Sequence, residues 1–136
     1  MRFIIIALAK RDTEAAPTAE LVAAMAAYHA ELAKAGVLLD ANRLRPSSKG
    51  FRLRWRCGRR TLVEGPFPEA QELVTGYTVI QVKSRAEGVE WAKRFPAPLR
   101  EDQDGEIEVR PLYELDELGP ARSSDGLRKS RVSTRE

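Results

Sequence analysis

The sequence predicts an α+β domain of the ferredoxin-like kind, a βαββαβ chain with an inserted β-hairpin. Three observations predict it. Segments of strand length and segments of helical period follow one another as strand, helix, strand, strand, helix, strand. The length of 136 residues with 43% hydrophobic content suits one core rather than two. A strictly alternating stretch with its own turn falls between the second and third strands of that order, where it adds a hairpin without disturbing it.

The elements follow from local pattern. Residues 2–9 form a continuous apolar run, as expected of a central strand buried on both faces. Pro17 and Thr18 open a helix in which Leu21, Met25, Tyr28, Leu32 and Ala35 recur at helical spacing, and Gly36 is placed to stop it. Residues 37–44 make a second strand. In residues 51–57, Phe51, Leu53, Trp55 and Cys57 share one face and Arg52, Arg54 and Arg56 the other, so the aromatic face is expected inward as core anchors. Residues 57–60 offer a turn and residues 60–64 the return strand. Residues 77–82 supply another strand. Ser84 with Glu87 reads as a capping box for a second helix, with Ala86, Val89, Trp91, Ala92 and Phe95 as its apolar face and Pro96 and Pro98 ending it. Residues 106–112 close the fold. Both helices then cover one face of the sheet, and the other face needs a cover. A twofold copy is the expected one, giving a homodimer.

Charge separates a domain from a tail. Residues 1–118 hold eighteen basic and eighteen acidic side chains, whereas residues 119–136 hold five Lys or Arg and two acids. The domain is assigned to residues 1–113, and residues 114–136 read as a polar, basic tail with too few apolar side chains to offset ordering entropy. The apolar run at residues 3–9 is too short to span a membrane and lacks a cleavage region, so neither export nor anchoring is expected and a cytoplasmic location follows. The single cysteine, Cys57, reads as a buried small hydrophobe and allows no disulfide within one chain.

Pro66 and Pro68 push Gly65 and Phe67 away from helical geometry, so residues 64–68 form a stiff corner that aims Phe67. Pro68 suits a first helical position, with Glu69 and Glu72 where a helix N-terminus favours negative charge.

Few side chains can carry chemistry. His29, the only histidine, lies about 40° round the helix from Met25 and about 20° from Val22, within or at the edge of the apolar stripe. With an unperturbed pKa near 6.5 it is the ready proton carrier of the chain. Asp40, set among Val37, Leu38, Leu39 and Ala41, either needs a polar partner or a pKa shift, or marks a strand end that reaches solvent. Either Asp40 or Glu64 could orient His29 as a general base. Arg43, Arg45, Lys49, Arg52, Arg54, Arg56, Arg59 and Arg60 run without an acid between Ala41 and Val63, which reads first as a solvated outer face of the hairpin and also suits a small anionic ligand. One His and one Cys do not make a protein-only zinc site, and no cofactor motif occurs. RNA-recognition modules share this strand order, but their aromatic signature is missing, so the folded domain is not expected to bind nucleic acid.

The segment Arg60-Thr-Leu-Val-Glu-Gly-Pro-Phe67, followed by Gly76-Tyr-Thr-Val-Ile-Gln-Val82, resembles the signature of the YCII-related, or DGPF-domain, family. Tyr28 to Leu39, Leu44 to Gly50 and the closing half from Gly76 extend the resemblance over about residues 1–113. It implies a dimeric α+β barrel, and its smaller members have been thought to use a His and Asp pair in a cleft. Here Glu64 stands where the signature usually has Asp, and Arg45 where many relatives have His. The resemblance points to a pocket near the dimer with His29, Asp40 and Glu64 as acid/base groups and Arg45, Phe67 and Tyr77 as ligand contacts. It also implies an alternative, a regulatory or protein-interaction module, because family members occur beside or fused to alternative sigma factors.

Overall fold

The computed structural model describes residues 1–9, 17–67, 73–96 and 105–118. Its elements are β1 (Arg2–Ala9), α1 (Ala19–Lys34), β2 (Leu38–Arg43), β3 (Phe51–Arg56), β4 (Arg59–Glu64), β5 (Leu73–Gln81), α2 (Arg85–Lys93) and β6 (Glu106–Pro111). β2, β5, β1 and β6 form one sheet in that order, antiparallel at every pairing, and β3 with β4 forms a separate two-stranded ribbon. The order is that of the ferredoxin-like fold, with the hairpin inserted where the alternation indicated. The helix expected from Pro68 and the tail residues 119–136 lie outside the described residues, while residues 114–118 continue the chain past β6.

α1 begins where Thr18 Oγ1 accepts from Leu21 N at 3.1 Å. It ends in a Schellman motif: Val37 N donates to Leu32 O and Gly36 N to Ala33 O, with Gly36 at φ 76°. The motif brings buried Val37 against buried Leu32, so stopping the helix and closing the core are one event. α2 is capped by Ser84 Oγ accepting from Glu87 N, while the Glu87 carboxylate accepts from Lys83 N rather than from Ser84 itself.

The core lies on one side of the sheet. Phe3 and Ile5 of β1 and Ile80 of β5 meet Tyr28 and Leu32 of α1, Val37 and Val82, with Trp91, Phe95, Ile107 and Val109 packed around them. Phe3 pairs with Ile80 and Ile5 with Thr78, so these side chains share the helix-covered face. α2 reaches it through Gly88, where a Cβ would press on the Phe3 ring at 3.0 Å. Gly88, not Ala86 or Val89, is thus the innermost residue of α2, and both expected apolar positions are exposed. So short a helix can approach β1 closely only where it has no side chain.

The hairpin corrects two expectations. Phe51, Leu53 and Trp55 are 63%, 43% and 66% exposed, and the arginine face is the more sheltered one. Cys57 is exposed, because Arg56 pairs with Arg59 and leaves Cys57 and Gly58 as a two-residue turn at φ 50° and 75°. Both central positions of such a turn must be left-handed, so Cys57 belongs to the bend and not to the strand face.

Beyond β6, Arg2 Nε donates to both Glu114 oxygens at 3.2 and 3.3 Å, and Arg2 Nη2 donates to Tyr113 O. The hydrogen bond from Arg2 holds the Glu114 carboxyl below its ordinary range. Between the helices, the Tyr28 hydroxyl donates to Trp91 O at 2.8 Å and its ring meets Phe95 edge-on. Burial pushes Tyr28 up to about 12, opposed by Arg94 and aided by Glu31. Tyr28→Phe is expected to lower the unfolding free energy in urea by about 1 kcal/mol. The loss stays modest because Trp91 O also accepts from Arg94 N.

Candidate functional site

The corner after β4 is fixed sterically. Gly65 N donates to Gly50 O at 3.0 Å, and a Cβ at Gly65 would overlap the Ser47 carbonyl group. The following Gly65–Pro66 bond is cis, and Phe67 N donates to Ser47 Oγ at 3.1 Å. The Phe67 ring is buried, with the Arg52 guanidinium 3.9 Å from its centre. Phe67 is therefore an anchor holding the root of the hairpin, with a cation–π contact over it. Glu64, paired with Phe51 at the end of β4, is exposed, and so is Arg45.

Asp40 acquires its place through a β-bulge. Leu38 pairs with Ile80 and Asp40 with Val79, so Leu39 is an extra residue on β2. A bulge reverses the alternation. Leu38 stays on the core side, and Asp40 is delivered to the opposite, open face of the sheet. There Asp40 Oδ2 accepts from the Tyr77 hydroxyl at 3.1 Å, and Oδ1 accepts from Asn42 Nδ2 and Ala41 N. Asn42 Nδ2 also donates to Tyr77 Oη at 2.9 Å, which closes a three-residue cluster. The open face beside it is apolar, with Ile4 paired to Val79 and Ile6 to Tyr77.

His29 lies on the other side. A 3.0 Å hydrogen bond joins its Nε2 to Thr78 Oγ1, and Thr78 is 1% exposed on the helix-covered face. Thr78 and Tyr77 are successive residues of β5, so their side chains leave the sheet in opposite directions. The sheet itself therefore stands between His29 and the Asp40 cluster. Of the six expected site residues, Asp40 and Tyr77 are brought together, Glu64 and Phe67 sit at the corner, Arg45 lies on the loop after β2, and His29 is bonded to Thr78 with its ring beside that of Tyr28. Asn42 and Thr78 were missed by the sequence reading. The signal for Asn42 was available: Asp-x-Asn on one strand puts both side chains on one face.

Burial lowers the His29 pKa from 6.5, so the ring is neutral at physiological pH and can accept a proton. Among the described residues no group of three or more His, Cys, Asp or Glu is placed to hold a metal ion, and no helix is long and apolar enough to cross a membrane. The donor set suits proton transfer and hydrogen bonding to a ligand.

The YCII-related domain model matches residues 1–116, and the chain belongs to that family. No curated protein matches it.

Two outcomes are expected. Gly65→Ala should lower the unfolding free energy by about 2–4 kcal/mol, since backbone must move to admit the methyl group; equilibrium denaturation measures it. For His29, the unfolded chain binds more protons between the lowered folded value and 6.5. Its stabilisation is whole above pH 6.5 and lost as pH falls through the folded value. The urea midpoint of the wild type should thus fall more steeply from about pH 7.5 to about pH 5 than that of His29→Gln.

Proposed function

We propose that the protein is a homodimer that binds a small organic anion in a pocket bordered by the open sheet face and moves a proton there through the Asp40–Tyr77 pair. Asp40 carries this reading: it is a carboxylate set on an apolar sheet face and hydrogen-bonded by the Tyr77 hydroxyl, the Asn42 amide and a backbone N–H. A carboxylate in contact with a phenol can take a proton while the phenol delivers one, which is general acid/base catalysis without a metal or cofactor. Asn42, donating to both partners, fixes their relative geometry. Arg45 supplies a guanidinium for a ligand carboxylate or phosphate, Glu64 an accessible carboxylate, and Phe67 the anchor that holds the corner. His29, neutral and on the opposite face, is a second proton acceptor within the same domain.

The second reading is a regulatory or interaction module, in keeping with the association of family members with alternative sigma factors. The exposed apolar face of the hairpin favours it.

A panel of organic acids and phosphate esters, screened by thermal shift and followed by calorimetry, tests the first reading. Tyr77→Phe and Asp40→Asn are expected to weaken the best ligand at least about tenfold, or about 1.4 kcal/mol. Wild-type affinity in both variants would sink the assignment.

A further inference from the structure

Among the described residues, β3 and β4 pair only with each other, and two strands alone are marginal in water. The register puts Leu53 opposite Leu62, Phe51 opposite Glu64 and Trp55 opposite Arg60, so these six side chains form one face. Leu62 is 55% exposed, in line with its neighbours. The other face carries Arg52, Arg54, Arg56 and Arg59, and Arg52 lies on the Phe67 ring of the chain's own corner. The apolar face is therefore the one left for an outside partner.

A second apolar surface that no described element covers is the open sheet face with Ile4, Ile6, Tyr77 and Val79. We propose that the hairpin is a dimer arm, and that the Phe51, Leu53, Trp55 and Leu62 face of each copy packs on the open sheet face of the other. This rests on the homodimer reading above and adds which surfaces meet.

Size, shape and charge select a second copy as the occupant. Phe51 and Trp55, at 63% and 66% exposure, offer on the order of 250 Å² together. A stable interface needs about 800 Å² per partner, so the arm alone falls short. A twofold axis makes each protomer contribute its arm and its sheet face together, which raises the area without any further surface. The centre of the arm face is a leucine pair, which fits a pleated surface of Ile and Val, with Phe51 and Trp55 at its two ends.

Charges agree. On the docking face of the arm the charged residues are Arg60, opposite Trp55, and Glu64 at the root, so Arg60 is the cation that an acidic receiving face would meet. The receiving face has Glu106 and Glu108 on β6, opposite Leu8 and Ile6, and Asp40 on β2, against Arg110 on β6 and Arg2 at the start of β1, the latter bonded to Glu114. The Asp40–Tyr77 cluster also lies on that face. The arm of one copy then forms a wall of the site on the other, and a single chain has an incomplete site.

Two measurements test the arm. Trp55→Glu combined with Leu62→Glu changes only exposed side chains; its thermal midpoint by circular dichroism should match the wild type. By light scattering the wild type should have twice the chain mass at micromolar concentration and the double variant the mass of one chain. In a Cys57→Ser background, a short bismaleimide should join Arg60→Cys on one chain to Glu108→Cys on another of different length, and should not join Arg60→Cys to Glu31→Cys on α1. A wild-type dimer with an unchanged double variant and no Arg60→Cys to Glu108→Cys product overturns the arm and leaves the homodimer standing. A monomeric wild type removes the homodimer and the arm with it. If the double variant keeps the dimer mass but loses binding to a mixed-sequence single-stranded oligonucleotide that the wild type binds, the hairpin serves nucleic acid and the arm is overturned.

Discussion

One alternation governs where chemistry can happen in this protein: on β5, Tyr77 leaves the sheet one way and Thr78 the other. Each recruits a polar partner on its own side, Asp40 to Tyr77 and His29 to Thr78. The backbone between them is committed to hydrogen bonds with β1 on one side and β2 on the other. No rotamer change can carry a side chain through such a wall, since breaking the ladder would leave buried backbone groups unpaired. The domain thus holds two separate polar centres. One is sheltered beneath the helices, and the other lies on a face that no described element covers.

The corner between the hairpin and β5 shows how a short signature can be mechanical first. Ser47 receives the Phe67 amide, Gly50 receives the Gly65 amide, and Arg52 lies over the Phe67 ring. These contacts join two separate stretches of chain, residues 47–52 and 65–67, at one point. Together they set the angle at which the ribbon leaves the sheet, and with it the direction in which Phe51 and Trp55 are displayed. Glu64 takes part only as the last residue of a strand, so any chemistry it performs depends on this anchoring.

Much of the architecture was legible because it is written in local signals. Thr18, Gly36 and Ser84 bound their helices where capping chemistry requires, and the continuous apolar run of β1 announced its central position. The errors have a common cause, which is that periodicity gives a division into faces without giving their direction. Phe51, Leu53 and Trp55 do share a face, but it points outward, because Arg52 on the other face covers the Phe67 ring of its own chain. Cys57 was assigned by extending the alternation one residue too far into a turn. Asp40 was recognised as an acid needing a partner, yet the bulge at Leu39 that chooses that partner has no sequence mark, since Leu38 and Leu39 are the same residue type. His29 was correctly seen as stripe-edge, and its partner Thr78 stayed hidden because its register to α1 is a tertiary fact.

Gly65 has an implication for reading other sequences. The space that a side chain would need there is filled by the Ser47 carbonyl, which belongs to a loop well before it in the chain. Any relative with a larger residue at this position must run that loop along a different path, and with it reorient the ribbon. One letter of an alignment therefore reports the course of a distant segment, and sorts related chains by geometry before any of their structures is known.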